Sequence, residues 1–134
     1  MKNYLFTYLV IPLLFLSSCG KGQTKHSENL LSAIEFSEKI KVDTSAVILD
    51  VRTSKEFREG HLENAINIEW NGHDFDRQIE MLDATKTVYV YCLSGRRSAA
   101  AAKQMRSKGF KRVYEMKGGI TKWREANLAE TMDD

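Results

Sequence analysis

Two runs of β-branched and aromatic residues, Ala46–Val51 (AVILDV) and Thr87–Tyr91 (TVYVY), constrain the fold more than any other feature of the chain. Runs this short and this apolar mark strands buried on both sides, and such strands require cover on both sides. The segments between them supply it. Ser32-Ala33-Ile34-Glu35 has capping-box spacing, and Ile34, Phe36 and Ile40 give a short helix its apolar positions. Ser54 is expected to cap a brief helical turn through Phe57, closed by Gly60. Ala65–Ile68 reads as a short strand, and Phe75–Leu82 as a helix with Ile79 and Leu82 on one side. Ser98–Lys108 is an alanine-rich helix stopped by Gly109, alanine being the strongest helix former. A further strand is predicted at Phe110–Tyr114, a turn at Gly118-Gly119, and a closing helix at Ile120–Leu128 that carries Trp123. Alternation of this kind defines an α/β domain with a mostly parallel central sheet and helices on both faces. In such sheets ligands bind beyond the carboxyl ends of the strands, and Cys92 stands at one.

Charge and cysteine usage narrow the chemistry. Lys plus Arg number 20 against 18 Asp plus Glu, a net +2 too small and too mixed to track a phosphate backbone, so no nucleic-acid partner is expected. Two cysteines, Cys19 and Cys92, are too few for a disulfide scaffold or a structural zinc site. His26, His61 and His73 show no ligand spacing with them, and neither a metal nor a cofactor is expected.

The amino terminus reads as an address. Tyr4–Leu16 is an uncharged apolar run of 13 residues behind Lys2. As a helix it would span roughly 20 Å, short of the roughly 30 Å hydrocarbon core, and Pro12 interrupts it. A basic start, a short apolar core and small residues after it describe a secretory signal peptide. The ending Leu16-Ser17-Ser18-Cys19 resembles the lipobox of bacterial lipoproteins. That resemblance implies cleavage before Cys19, lipidation of its thiol, and a protein held on the extracytoplasmic or periplasmic face of the bacterial envelope. The expected organisation is a leader at 1–18, a lipidated terminus and flexible polar tether at 19–29, one domain at 30–130, and a polar tail at 131–134. With Cys19 acylated, the mature chain has a single thiol.

That thiol stands in a loop whose features converge on it. The segment Cys92-Leu93-Ser94-Gly95-Arg96-Arg97-Ser98 joins a strand to the alanine helix. The helix N-terminus offers unpaired N–H groups and partial positive charge. Gly95 permits a turn that gathers N–H groups into an anion nest. Arg96 and Arg97 add full charges, so Cys92 is expected to have a lowered pKa and to be nucleophilic. An inert, buried cysteine is the alternative, and two arginines and a glycine are poor companions for one.

Three motifs now make the chain resemble the single-domain rhodaneses, sulfurtransferases that carry sulfur as a cysteine persulfide. They are Leu49-Asp50-Val51-Arg52, continuing through Glu56-Phe57, Gly60-His61-Leu62, Ala65 and Asn67; Cys92-x-x-Gly95-x-Arg97-Ser98; and Gly118-Gly119-Ile120-x-x-Trp123. The resemblance covers about Leu30 to Leu128. It implies that Cys92 takes a sulfane sulfur from a small anionic, thiosulfate-like donor and passes it to a thiol or cyanide-like acceptor, a protein thiol included. The N–H groups from Leu93 to Ser98 would stabilise the outer sulfur, Arg97 would close the loop, and Arg96 would steer the donor. Asp50, Arg52 and His61 are expected to hold the fold beside the site rather than to react, and Trp123 to lie in the core. Trp70 and His73 flank the Asn71-Gly72 turn, at the surface or at a pocket mouth. Leu93 and Ser94 leave the identity of the donor open.

Related folds set the rivals. Protein tyrosine phosphatases place five residues between cysteine and arginine; here four separate Cys92 from Arg97, which disfavours phosphate. A non-catalytic binding module or a thiol redox-sensing module is the other alternative; binding modules that have lost the chemistry usually lack the cysteine that this chain retains.

Overall fold

A computed structural model describes residues 28–132 of the chain. The leader at 1–18, Cys19 and the tether as far as Ser27 lie outside the described residues, as do Asp133 and Asp134. The elements run β1 (Leu30–Leu31), α1 (Ala33–Val42), β2 (Val47–Asp50), α2 (Ser54–Arg58), β3 (Ala65–Asn67), α3 (Phe75–Glu80), β4 (Val88–Tyr91), α4 (Arg96–Ser107), β5 (Val113–Met116) and α5 (Gly119–Glu125). The strands form one sheet in the order β1-β5-β4-β2-β3, and every pairing is parallel. No helix among the described residues is long and apolar enough to cross a membrane.

Strand alternation divides the core into two layers. Val88, Val90 and Cys92 turn to one face with Leu49 and Val51, under Ala101, Ala102 and Met105 of α4 and Phe75 and Ile79 of α3. Tyr89 and Tyr91 turn to the other, against Phe36 of α1 and Ile120 and Trp123 of α5. Phe36 meets the two tyrosine rings edge-on at 5.4 and 6.5 Å, a favourable aromatic geometry. The central strand β4 is therefore buried throughout, and the residue after it emerges between two covered faces.

Four details differ from the sequence expectation, each for a local reason. The two-residue strand β1 has too few residues to register as a run; its register of Leu30 and Leu31 with Glu115 and Met116 comes from β5. Asn29 joins that edge as well, its carbonyl accepting from Glu115 N at 2.8 Å. Thr53, not Ser54, caps α2, because Glu56 three residues later completes a reciprocal box with it. Phe110 closes α4 rather than opening a strand. Gly109 is left-handed at φ 98°, and Phe110 N reaches back to Met105 O at 3.1 Å. That is a Schellman ending, and it delays β5 to Val113.

The fourth difference bears on the site. The alanine helix begins at Arg96, two residues early, behind left-handed Gly95. Two cations thus occupy the first helical turn, where the helix dipole disfavours them. Arg97 is offset by an ion pair with Glu56, while Arg96 keeps its charge in solvent.

Candidate active site

Cys92 follows β4 directly and is 1% exposed. Gly95, at φ 101°, turns the chain so sharply that its own N–H donates to Cys92 Sγ at 3.1 Å. The buried Ser98 hydroxyl lies 3.5 Å from the sulfur and 3.2 Å from the Gly95 carbonyl oxygen, able to donate to either. Burial pushes the thiol pKa up. The Ser98 hydroxyl and the N–H groups of Ser98, Gly95 and Ser94 outweigh it and hold the thiol below its ordinary value. The site is a cradle of donors around one sulfur. A cavity of about 410 Å³ opens elsewhere, among Ile40, Ile48, Trp123 and Leu128.

A second helix end fixes the cradle from behind. Ile120 N donates to Cys92 O at 2.9 Å, and Thr121 N and Oγ1 donate to Leu93 O at 3.1 and 2.9 Å. With these carbonyls drawn toward α5, the N–H groups of the following residues are free to face the sulfur. The approach requires glycine. At Gly119, φ 60°, a Cβ would stand 2.4 Å from Cys92 O and 2.5 Å from Leu93 O.

The third support is an ion pair. Arg97 donates from both terminal nitrogens to Glu56, at 2.8 and 2.9 Å, a bidentate geometry spanning 41 residues of sequence. Glu56 also accepts from Thr53 N at 2.9 Å and Thr53 Oγ1 at 3.0 Å, so one carboxylate ties the cap of α2 to the Cys92 loop. Arg97 draws the Glu56 pKa down; partial burial opposes this, Thr53 assists, and the group settles at about 2. Arg97 thus closes the loop from outside while its charge is matched. Arg96 is exposed and makes no hydrogen bond or ion pair among the described residues. Leu93 and Ser94 are exposed beside it.

The remaining residues singled out in the sequence sit around this frame. Asp50 and Arg52 are 0% and 2% exposed and form a pair at 2.6 Å. Asp50 also accepts from Arg52 N at 2.9 Å, and Arg52 donates to Gly60 O at 2.7 Å. Asn67 Nδ2 bridges the carbonyls of Asp50 and Arg52 at 3.0 and 2.9 Å. These contacts bind the end of β2 to the turns around it, and none reaches the sulfur. His61 stacks on Phe57 with ring centroids 3.7 Å apart, its Nδ1 lying 2.9 Å from Phe57 O. Its backbone pairs with Thr131 through bonds of 2.9 and 2.8 Å. Trp123 is buried, donating from Nε1 to Ala129 O at 3.0 Å. Trp70 packs edge-on against Phe75 and, with exposed His73, lines a shallow pocket.

Sequence reasoning assigned no role to Glu56 or Thr121. Glu56 is legible as a capping-box member by its spacing from Thr53, but its contact with Arg97 is long-range and has no local signal. Gly119 was visible as a turn former; its close approach to the loop was not.

Comparison with known proteins agrees with this geometry. The Rhodanese-like domain family model matches residues 32–126. A putative sulfur carrier protein, YrkF of Bacillus subtilis, is 33% identical over 108 residues, covering 77% of this chain and 57% of that one. A tRNA uridine(34) hydroxylase of Cytophaga hutchinsonii is 35% identical over 103 residues, 75% of this chain but 33% of the relative. The chain thus spans from about a third to just over half of these two. Thiosulfate sulfurtransferase GlpE of Shewanella oneidensis is 34% identical over 83 residues, covering 62% of this chain and 80% of the relative. Among solved structures, a rhodanese-related protein from Thermoplasma volcanium superposes with a TM-score of 0.70 at 28% identity, over 78% of this chain and 99% of that one. From the matched residues, the parallel sheet and the Cys92 cradle together, the chain belongs to the rhodanese-like domain family.

Proposed function

We propose that the domain is a sulfurtransferase that moves a sulfane sulfur from a small thiosulfate-like anion to a thiophilic acceptor through a Cys92 persulfide. The observation that carries the reading is the buried sulfur facing the Gly95 N–H and Ser98 hydroxyl, with its pKa lowered. Cys92 thiolate attacks the outer sulfur of the donor. A Sγ–S bond forms, the donor S–S bond breaks, and the electron pair leaves on sulfite. The cradle's donors then face a negatively charged outer sulfur, and the lowered thiol pKa favours the thiolate, the form that attacks without a dedicated general base. The thiosulfate sulfurtransferase relative supports the chemistry. The hydroxylase relatives are matched over about a third of their length or less.

The test gives full-length protein thiosulfate and cyanide, follows thiocyanate, and reads Cys92 by intact mass for one added sulfur. Both signals are expected, and both vanish in Cys92→Ser. A folded, alkylatable protein that gains no sulfur from thiosulfate, mercaptopyruvate or polysulfide would instead be the binding or redox-sensing module. The proposal extends to location: Cys19 carries lipid and holds the domain at the extracytoplasmic face of the bacterial envelope, a reading supported by the sequence of residues 2–20. Mass analysis of the amino-terminal peptide from membranes would show acyl chains on Cys19, and an unmodified or uncleaved terminus would refute it.

A further inference from the structure

Resting on the persulfide reading above, we propose that the sulfur acceptor is a protein thiol carried on an acidic, apolar-flanked segment that docks on Leu93 and Arg96. Cys92 is the one cysteine among the described residues, so within them the sulfur has no second thiol to move to. It must leave to a partner that reaches a nearly sealed atom.

What surrounds that atom is unlike a site for a small anion alone. Leu93 adjoins Cys92 and is 40% exposed, although its carbonyl is pinned by both Thr121 donors. It is a fixed apolar projection, held by the same bonds that shape the cradle. A sulfane anion gains nothing from apolar surface, whereas a peptide side chain laid over it gains by burial. Three residues on, Arg96 is exposed and unpartnered among the described residues. Carboxylates of the flanking elements are already engaged: Glu56 of α2 and Glu125 of α5 in ion pairs with Arg97 and Lys122, and Glu69 in hydrogen bonds from the Ser54 hydroxyl and N–H at 2.6 and 2.7 Å. Lys117, exposed just before the Gly118-Gly119 turn, adds a second cation without a counter-ion among the described residues. The mouth therefore pairs an apolar anchor with unmatched positive charge, and charge complementarity selects an acidic partner.

Transfer there is balanced without another reactant. The acceptor sulfur attacks the outer sulfur of the Cys92 persulfide anion. A new S–S bond forms on the acceptor, the Sγ–S bond breaks, Cys92 leaves as thiolate, and the acceptor's proton ends on the transferred sulfur.

The experiment loads the full-length protein with sulfur, by thiosulfate or chemically by polysulfide, and measures single-turnover transfer by mass. The acceptors are two peptides, Cys-Leu flanked by aspartates and Cys-Leu flanked by lysines, with free cysteine as the reference. At low salt the acidic peptide is expected to accept sulfur about tenfold faster than the basic one, and the ratio to shrink as salt screens it. Arg96→Glu should invert the ratio. Leu93→Ala should lower the rate of the acidic peptide relative to free cysteine several-fold. Equal peptide rates, a ratio unmoved by Arg96→Glu, or an intact persulfide that transfers to neither peptide would overturn the proposal. Failure to load from thiosulfate, with normal behaviour after polysulfide loading, would count against the donor in the underlying reading and not against the docking surface.

Discussion

Four of the five helices begin in two contrasting ways, and the contrast locates the chemistry. Helices α1 and α2 start with Ser32 and Thr53, whose side chains accept from the N–H three residues on, while Glu35 and Glu56 return the bond. Their first-turn donors are consumed locally. Helices α4 and α5 start behind left-handed Gly95 and Gly118, with no side-chain cap. Their donors go to the Cys92 loop: one end supplies the sulfur, the other takes the Cys92 and Leu93 carbonyls. A helix that caps itself is scaffold; a helix opened by glycine leaves its amides for something else, and here both open helices meet the chain at Cys92 and Leu93.

The strongest way to break this contrast is Gly119→Ala. A methyl 2.4 Å from Cys92 O, on a left-handed backbone, must push the loop away from α5. A loss of about 2–4 kcal/mol in denaturant unfolding is expected, together with loss of persulfide formation. Next is Glu56→Gln, which severs Arg97 from α2. The pair is 23% and 27% exposed, so solvent screening holds the effect to about 1–2 kcal/mol. Its pH signature is specific. Glu56 titrates at about 2 when folded against an ordinary 4.5, so its stabilisation is complete above 4.5 and is lost as pH falls toward 2. Acid unfolding of the Gln variant should lack that contribution.

Ser98→Ala is a smaller and purely chemical change. Removing the hydroxyl 3.5 Å from Sγ should raise the thiol pKa, moving the alkylation-rate profile to higher pH with the fold intact. An unmoved profile would leave the backbone N–H groups to account for the lowered value. Last comes Thr53→Ala in a self-capped helix. It should cost about 1 kcal/mol in stability and leave the alkylation profile where it was. If it shifted the thiol as far as Ser98→Ala does, the division between scaffold and open helices would fail.

The same division governs what the sequence disclosed. Ser32 with Glu35 could be read directly, since a capping box is a pattern of four residues, and the apolar strands Val47–Asp50 and Val88–Tyr91 were legible for a similar reason. Cys92, Gly95, Arg97 and Ser98 could be picked out because the loop that holds them is contiguous. What escaped was long-range or conformational. Glu56 meets Arg97 across 41 residues, Thr121 meets Leu93 across 28, and Phe110 was assigned to a strand because only backbone geometry reveals it as a helix stop. β1 was missed because two residues carry no period.

The pairing of β1 with β5 has a consequence in time. Leu30 opens the sheet, yet its neighbour Glu115 lies 85 positions later, and His61 likewise waits for Thr131. A chain emerging from its amino end holds β1 and α1 without their β5 neighbour until almost all of the domain has appeared. The inner strands β2, β3 and β4 can meet before then. Closure of the β1 edge, and with it the docking of α1 against α5, is thus the late step of folding, and loop-closure entropy makes it the slow one. A chain released before β5 would expose the tyrosine face of β4 and an unpaired strand edge, the combination that draws chaperones and aggregates.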